Sequence, residues 1–290
     1  MGLCDDVRRD CAVIAHKAGS VRMDLQSAAA VASGPPLALD PGAHYLDGPV
    51  EGVAGYILAL TAINFGSGWF PTLRKRPGCS GYFTVAAGLA DRWRAHGPWT
   101  EAELRAMQPA TIARVLGQDP DHELMTLYAR ALSELGAFLE GRDALEAIAG
   151  AAGSAERLAE QVADAMPSFA DPGFYKRAQI LPRDLALAGV AEFRDLDRLT
   201  IFADNIVPHV LRVDGVLRYE PGLAARIDRG ELLAPGREER EIRACALHAC
   251  ERIAVTLDVA PHTLDGWLWN RGQEPRYKAL PRHRTRTTAY

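Results

Sequence analysis

The chain has 290 residues, of which 48% are hydrophobic, 24% charged and 7% aromatic. That composition can bury a core, and it excludes a disordered, collagen-like or disulfide-scaffold protein. Thirty-three Lys and Arg against thirty-seven Asp and Glu leave a net charge of -4, so no overall positive field draws the molecule onto long nucleic acid.

At the start, Met1-Gly2-Leu3-Cys4 runs into acids with no apolar signal core, and Asp6 stands where a myristoylation motif needs Ser or Thr. Five cysteines, Cys4, Cys11, Cys79, Cys245 and Cys250, form neither a CxxC nor a Cys/His pattern of zinc spacing. A disulfide framework and a structural metal are therefore not expected, and a reducing cytoplasm is the expected compartment. The first forty residues predict a helix and carry no motif. Gly52 to Leu73 holds no charge, but Asn64-Phe65-Gly66-Ser67-Gly68 interrupts its apolar run, so a buried helix followed by a loop is expected rather than a membrane span.

Downstream, helical spacing dominates. Thr100 and Glu103 make a capping box, Leu124, Leu127, Ala131, Leu135 and Phe138 recur at three and four residues, and Ser154 stands before Leu158, Val162 and Met166. Around Val213 to Tyr219 an Asp214-Gly215 turn either joins two brief strands or links two helices. Ile242, Cys245, Ala249 and Ile253 mark another amphipathic helix. Breakers cluster at Gly34 to Pro36, Pro71 to Gly81, Gly150 to Ser154 and Pro167 to Gly173, without a long linker or an internal repeat. The expected architecture is all-α, with little sheet, as a single domain over residues 1–290.

Four blocks carry chemistry. In Phe174-Tyr175-Lys176-Arg177-Ala178-Gln179-Ile180-Leu181-Pro182-Arg183-Asp184-Leu185, cations, an amide and a carboxylate are squeezed between apolar residues; the plainer reading is a helix start with solvated Lys and Arg. Asp204, flanked by Ile201, Phe202, Ala203, Ile206 and Val207, is either a desolvated carboxylate held for use or, with Asn205, a helix cap before Pro208. Glu241, Cys245 and His248 share one side of a helix, where a buried cysteine beside a satisfied histidine is the commoner case than a thiol enzyme. Asp265-Gly266-Trp267-Leu268-Trp269-Asn270 precedes a tail with five Lys or Arg and no acid from Arg276 to Tyr290, which suits a nucleotide or closes a core beside a solvated tail. No P-loop or GxGxxG is present, which argues against NTP or dinucleotide use, and no cofactor is expected.

Taken in series, Ile63-Asn64-Phe65, Ser80-Gly81-Tyr82-Phe83, the run FYKRAQIL from Phe174, and Phe202-Ala203-Asp204 with Gly215, Leu217 and Tyr219 resemble the queuosine salvage protein family, the queuosine 5'-phosphate N-glycosylases. Glu241-Ile242-Arg243, Leu268-Trp269 and Pro281-Arg282-His283-Arg284 continue the resemblance, which spans about His44 to Tyr290. It implies an all-helical fold related to the helix-hairpin-helix DNA glycosylases, with the FYKRAQIL segment in the hairpin region and Asp204 where those enzymes keep a catalytic aspartate.

The implied reaction is hydrolysis of the N-glycosidic bond of queuosine 5'-phosphate, giving queuine and ribose 5-phosphate. Bond cleavage leaves an oxocarbenium-like sugar, which a carboxylate stabilises more than it does the ground state, and Asp204 is the candidate. A 7-deaza base lacks N7, so leaving-group help must come through another edge, for which Asp184 is the candidate. Phe65, Phe202 and Trp69 are available for stacking, and Asn64 or Gln179 for the amide edge. Glu241 is expected at the cyclopentenediol amine and His44 at a hydroxyl. Lys176, Arg177, or the tail's Arg282, His283 and Arg284 are expected at the phosphate. The partner is a small-molecule nucleotide, with no long nucleic acid and no membrane; a monomer is the simplest expectation. A base-lesion glycosylase acting on DNA or RNA, and a non-catalytic helical module that retains a nucleotide, remain alternatives.

Overall fold

The computed structural model describes residues 2–30 and 33–290; Met1, with which the N-terminal reading begins, and residues 31–32 lie outside them. Fourteen α-helices and one two-stranded sheet are present among the described residues, so the protein is mainly α. In chain order the helices are α1 (Leu3–His16), α2 (Val50–Ala62), α3 (Gly81–His96), α4 (Glu101–Arg105), α5 (Pro109–Leu116), α6 (Glu123–Leu139) and α7 (Ala144–Ala149). They continue with α8 (Ala155–Ala165), α9 (Lys176–Leu187), α10 (Val207–Val213), α11 (Pro221–Asp228), α12 (Arg237–Leu257), α13 (Pro261–Arg271) and α14 (Pro275–Lys278).

Local chemistry starts these helices where the pattern puts them. Thr100 and Glu103 form the reciprocal capping box of α4, and Ser154 accepts from Arg157 N at the head of α8. The uncharged stretch becomes α2 and then a loop, and no helix among the described residues is long and apolar enough to cross a membrane. The Asp214-Gly215 turn does something neither reading proposed. It ends α10, with Gly215 at φ +81°, and leads into β2 (Leu217–Tyr219), which pairs antiparallel with the remote β1 (Val21–Met23) in the register Val21↔Tyr219. A short hairpin lacks the apolar face to hold itself together, whereas β1 lies against α12 and β2 against α10.

Two apolar clusters organise the helices. One gathers Ile57 and Leu60 of α2, Leu89 of α3, Ile112 of α5, Leu132 of α6 and Leu181 of α9. The other gathers Val7 and Cys11 of α1, Val210 of α10, Ile242 and Leu247 of α12, and Leu264 of α13. A smaller cluster takes Cys4 from α1 and Ile180 from α9, with Phe202. The four buried cysteines behave as small apolar groups, and desolvation pushes the Cys4, Cys11 and Cys245 thiols up to about 12, which leaves no reactive thiolate beside His248.

Candidate functional site

A cavity of about 470 Å³ takes walls from both sides of the molecule: the α2–α3 connection and the start of α3, the cavity face of α9, the segment before α10, one face of α13, and the C-terminal strap. That volume is ordinary for a site that encloses a mononucleotide-sized ligand.

Asp204 enters from the loop that becomes α10. Its Oδ1 accepts from Ile206 N at 2.6 Å and Val207 N at 3.1 Å, while no hydrogen bond among the described residues reaches Oδ2. Asp204 is therefore not the helix cap, since α10 has Ile206 as its N-cap with no side-chain cap, and Asn205 donates to His283 O instead. One oxygen of Asp204 holds the turn ahead of α10 and fixes the side chain, and the residue, 7% exposed, lines the cavity.

Lys176 and Arg177 open α9 after a tight turn in which Tyr175 adopts φ +50°, a conformation costly for a residue with a side chain. The turn sends consecutive cations in different directions, and neither is solvated: Lys176 is 5% and Arg177 1% exposed. Arg177 points away from the cavity. It donates to the carbonyls of Ala62 at 2.7 Å, Thr61 at 3.4 Å and Ser168, with its guanidinium between the Phe65 and Phe169 rings. Lys176 lines the cavity with no side-chain hydrogen bond or ion pair among the described residues. Burial pulls its ammonium down to about 8, against the support of Asp204, Asp265 and Asp184.

Further along α9, Arg183 Nε lies 2.8 Å from Asp184 Oδ1, but misaligned, so that each atom lacks a true hydrogen bond. The Arg183 guanidinium rests 4.9 Å from the Phe202 ring. From α13, Asp265 accepts from Phe202 N at 2.8 Å; burial pushes its carboxyl up to about 7, opposed chiefly by Arg183. His44 is held by the Asp40 carbonyl at Nδ1, 2.8 Å, and meets the Tyr82 hydroxyl at Nε2, 2.9 Å. A carbonyl can only accept, so a neutral His44 carries its proton on Nδ1 and takes the Tyr82 proton at Nε2. That leaves the Tyr82 oxygen free to accept. Trp269 meets the Tyr82 and Phe83 rings edge-on at 5.8 and 5.9 Å.

The structure brings His44, Asn64, Phe65, Lys176, Asp184, Phe202, Asp204, Arg282 and Arg284 to one cavity. Five expected residues are elsewhere. Trp69 donates Nε1 to Glu123 at 2.7 Å, and Arg177 is spent on carbonyls. Gln179 donates to Phe174 O and accepts from Thr200, stitching α9 to the segment before α10. Glu241 accepts from Gly19 N at 3.0 Å and Ser20 N at 2.7 Å and pairs with Arg237, holding the turn before β1. His283 is buried behind the wall, its imidazolium disfavoured by burial and by Arg243 so that its pKa falls to about 3. A neutral ring makes a poor phosphate ligand.

Asp265, Trp269, Tyr82, Phe83 and the mouth lysines Lys75 and Lys278 also line the cavity. Tyr82 and Phe83 had a signal in the Ser80-to-Phe83 motif, and Asp265 and Trp269 in their four-residue spacing on one helix face. Lys75 and Lys278 had none beyond local charge. The tail is docked rather than solvated: Gly66 N donates to Tyr290 O, Leu233 N donates to Arg284 O, and Arg276 joins Tyr277 and Arg271 on the half-buried Asp214.

Comparison with known proteins follows the same boundaries. A family model described as queuosine salvage protein matches residues 43–290. A protein of Sphaerobacter thermophilus named queuosine 5'-phosphate N-glycosylase/hydrolase is 38% identical over 85% of this chain and 84% of its own length. Proteins of the same name from Dictyostelium discoideum and Bos taurus are 30% and 28% identical, over 85% and 94% of this chain and 84% and 93% of theirs.

Proposed function

We propose, from the premise that the chain belongs to the queuosine salvage protein family, that it hydrolyses the N-glycosidic bond of queuosine 5'-phosphate, with Asp204 as the central carboxylate. The observation that carries the assignment is the division of labour within that side chain: Oδ1 is fixed by two backbone amides, and Oδ2 has no hydrogen-bond partner among the described residues. A fixed carboxylate facing a cavity costs no reorganisation when the sugar becomes positive.

In the proposed reaction the bond between the anomeric carbon and the base nitrogen breaks, and its electron pair leaves with the base. Asp204 stabilises the electron-poor sugar and takes a proton from the water that attacks it. The base collects a proton from Asp184 or Asp265, which also line the cavity; Asp265 retains one up to about pH 7. The products are queuine and ribose 5-phosphate. Phe65, Phe202 and Trp269 supply surface for the planar base, with Asn64 at its amide edge. With Glu241 engaged at Gly19 and Ser20, the cyclopentenediol arm and its amine fall to Asp40 and to the Tyr82 oxygen, which His44 orients. The phosphate belongs with Arg282 and Arg284.

Asp204→Asn keeps the shape and the acceptor at Oδ1, so the fold should survive. Queuine release followed by chromatography should fall by about a thousandfold or more. Near-normal turnover by a folded variant would remove Asp204 from the mechanism. Equal specificity constants for queuosine and its 5'-phosphate would contradict the phosphate site.

A further inference from the structure

We infer that the buried ion pair between Arg243 and Asp171 is a positioning device that sets Asp204 and Lys176 relative to each other in the cavity wall. The inference rests on the glycosidase reading above.

Neither partner lines the cavity, and both are almost wholly buried: side-chain exposure is 3% for Arg243 and 8% for Asp171. The guanidinium of Arg243, delivered by α12, has three working edges. Its Nε donates to the carbonyl of Ala203 at 2.8 Å, the peptide that immediately precedes Asp204. Its Nη1 donates to Asp171 Oδ1 at 3.0 Å and to Glu239 Oε1 at 3.3 Å, and its Nη2 donates to Asp171 Oδ2. That same Asp171 Oδ2 accepts the backbone N–H of Lys176 at 3.3 Å, and the Asp171 carbonyl accepts from Phe174 N and Tyr175 N at 3.0 and 2.9 Å. One planar fork therefore reaches the peptide bearing Asp204 and, through one carboxylate, the turn bearing Lys176. The Phe174 and Tyr290 rings, 3.9 and 4.9 Å from the guanidinium carbon, hold its plane.

Stability alone does not call for this arrangement. Buried ion pairs are commonly replaced by apolar residues of equal volume at no loss. What apolar residues cannot do is donate to one backbone and accept from another with a rigid plane between them. A displacement of about 1 Å between reacting groups can cost about a hundredfold in rate, so a tie of this kind acts on turnover rather than on substrate binding. Lys176 reports the geometry. Its ammonium, held near 8, is faced by Asp204 from the start of α10, by Asp265 from α13 and by Asp184 and Arg177 from α9.

The test uses Asp171→Asn and Arg243→Lys in the full chain, with Arg8→Met as a control that removes the Arg8–Glu251 ion pair joining α1 to α12. Queuine release from queuosine 5'-phosphate gives kcat and KM, thermal melts give the folded fraction, and NMR of ¹³Cε-lysine-labelled protein gives the Lys176 titration. Asp171→Asn should lose about tenfold or more in kcat with KM changed less than about threefold. Arg243→Lys, which keeps charge but loses the fork, should lose more. In both, the Lys176 midpoint should fall as Asp204 recedes from it. The control should melt earlier with kcat unchanged. Unaltered kcat and an unaltered Lys176 midpoint in folded Asp171→Asn would overturn the inference, as would losses that track the unfolded fraction in all three variants. Should Arg243→Lys not fold, Asp171→Asn decides alone. A wild type that releases no queuine would defeat the glycosidase reading, and the lysine titration would still decide the positioning.

Discussion

Lys176 and Arg177 are neighbours in sequence, both cationic and both buried, yet they belong to two different regions. Behind the cavity runs a polar seam in which Arg177, Gln179, Arg243 and Asp171 have protein partners at their charged or amide groups, as Glu241 has farther away at the turn after α1. On the cavity walls, Lys176 Nζ, Asp204 Oδ2 and Asp184 Oδ1 have no such hydrogen bond among the described residues. Burying a charge costs free energy in either place. In the seam the fold recovers that cost; in the cavity the cost is left standing for a ligand to offset. Burial alone does not mark a functional residue; burial on a cavity wall with a charged end left without a hydrogen bond does.

The sharpest way to break this comparison is to remove each cation in turn. Arg177→Met would leave the carbonyls of Ala62 and Ser168 without their donor, while that of Thr61 keeps the N–H of Asn64. At about 1–3 kcal/mol for each buried group left unpaired, a loss of roughly 2–5 kcal/mol is expected in urea denaturation. Lys176→Met should do the reverse. Because burial lowers its folded-state pKa from 10.5 to about 8, the folded protein releases this proton more readily than the unfolded chain. The ammonium therefore opposes folding in full below about pH 8, and the penalty is relieved as pH rises from there to 10.5. Removing it should stabilise the protein at pH 7 by on the order of 2 kcal/mol while queuine release falls about a hundredfold. Equal destabilisation by both variants would erase the distinction between the two regions.

These two residues also mark the limit of what was legible in the sequence. Periodicity and caps located α4, α6 and α8 because those signals are local. The density of charge in FYKRAQIL was visible, but which cation faces the cavity depends on the left-handed turn at Tyr175 and on carbonyls contributed by α2 and by Ser168. Glu241 shares the helix face the pattern suggested, but that part of α12 meets the turn after α1, a contact no local pattern encodes. The C-terminal segment held a readable signal of another kind. It is extended, so Arg282 and Arg284 line the cavity while His283 and Thr285 alternate inward.

A smaller effect separates the regions by pH. Asp265 has its carboxyl raised from 3.8 to about 7, mainly by burial, so the folded state binds this proton where the unfolded chain has already released it. The contribution to stability is full below about pH 4, declines as pH rises, and is lost above about pH 7. Asp265→Asn, which keeps an acceptor for Phe202 N, should remove that decline, a difference on the order of 2 kcal/mol between pH 4 and 8 in parallel urea titrations. A decline of equal size in the variant would assign it to other groups.

The smallest expected effect concerns the mouth, where the cavity meets solvent. Lys75 and Lys278 are exposed, whereas Arg282 is half-buried beside Asp204 and has its guanidinium pKa lowered chiefly by desolvation. Charges in water act through a screened field, and those partly withdrawn from it act with far less screening. Neutralising both lysines as Gln should therefore raise KM for the 5'-phosphate by about two- to threefold at low salt and leave kcat alone. Near 1 M salt, where the Debye length is about 3 Å, that difference should vanish. Arg282→Ser should raise KM by about tenfold, and that effect should persist in salt. A lysine effect that survives high salt would mean that Lys75 and Lys278 touch the phosphate rather than attract it, moving the boundary between cavity and surface outward by one layer of side chains.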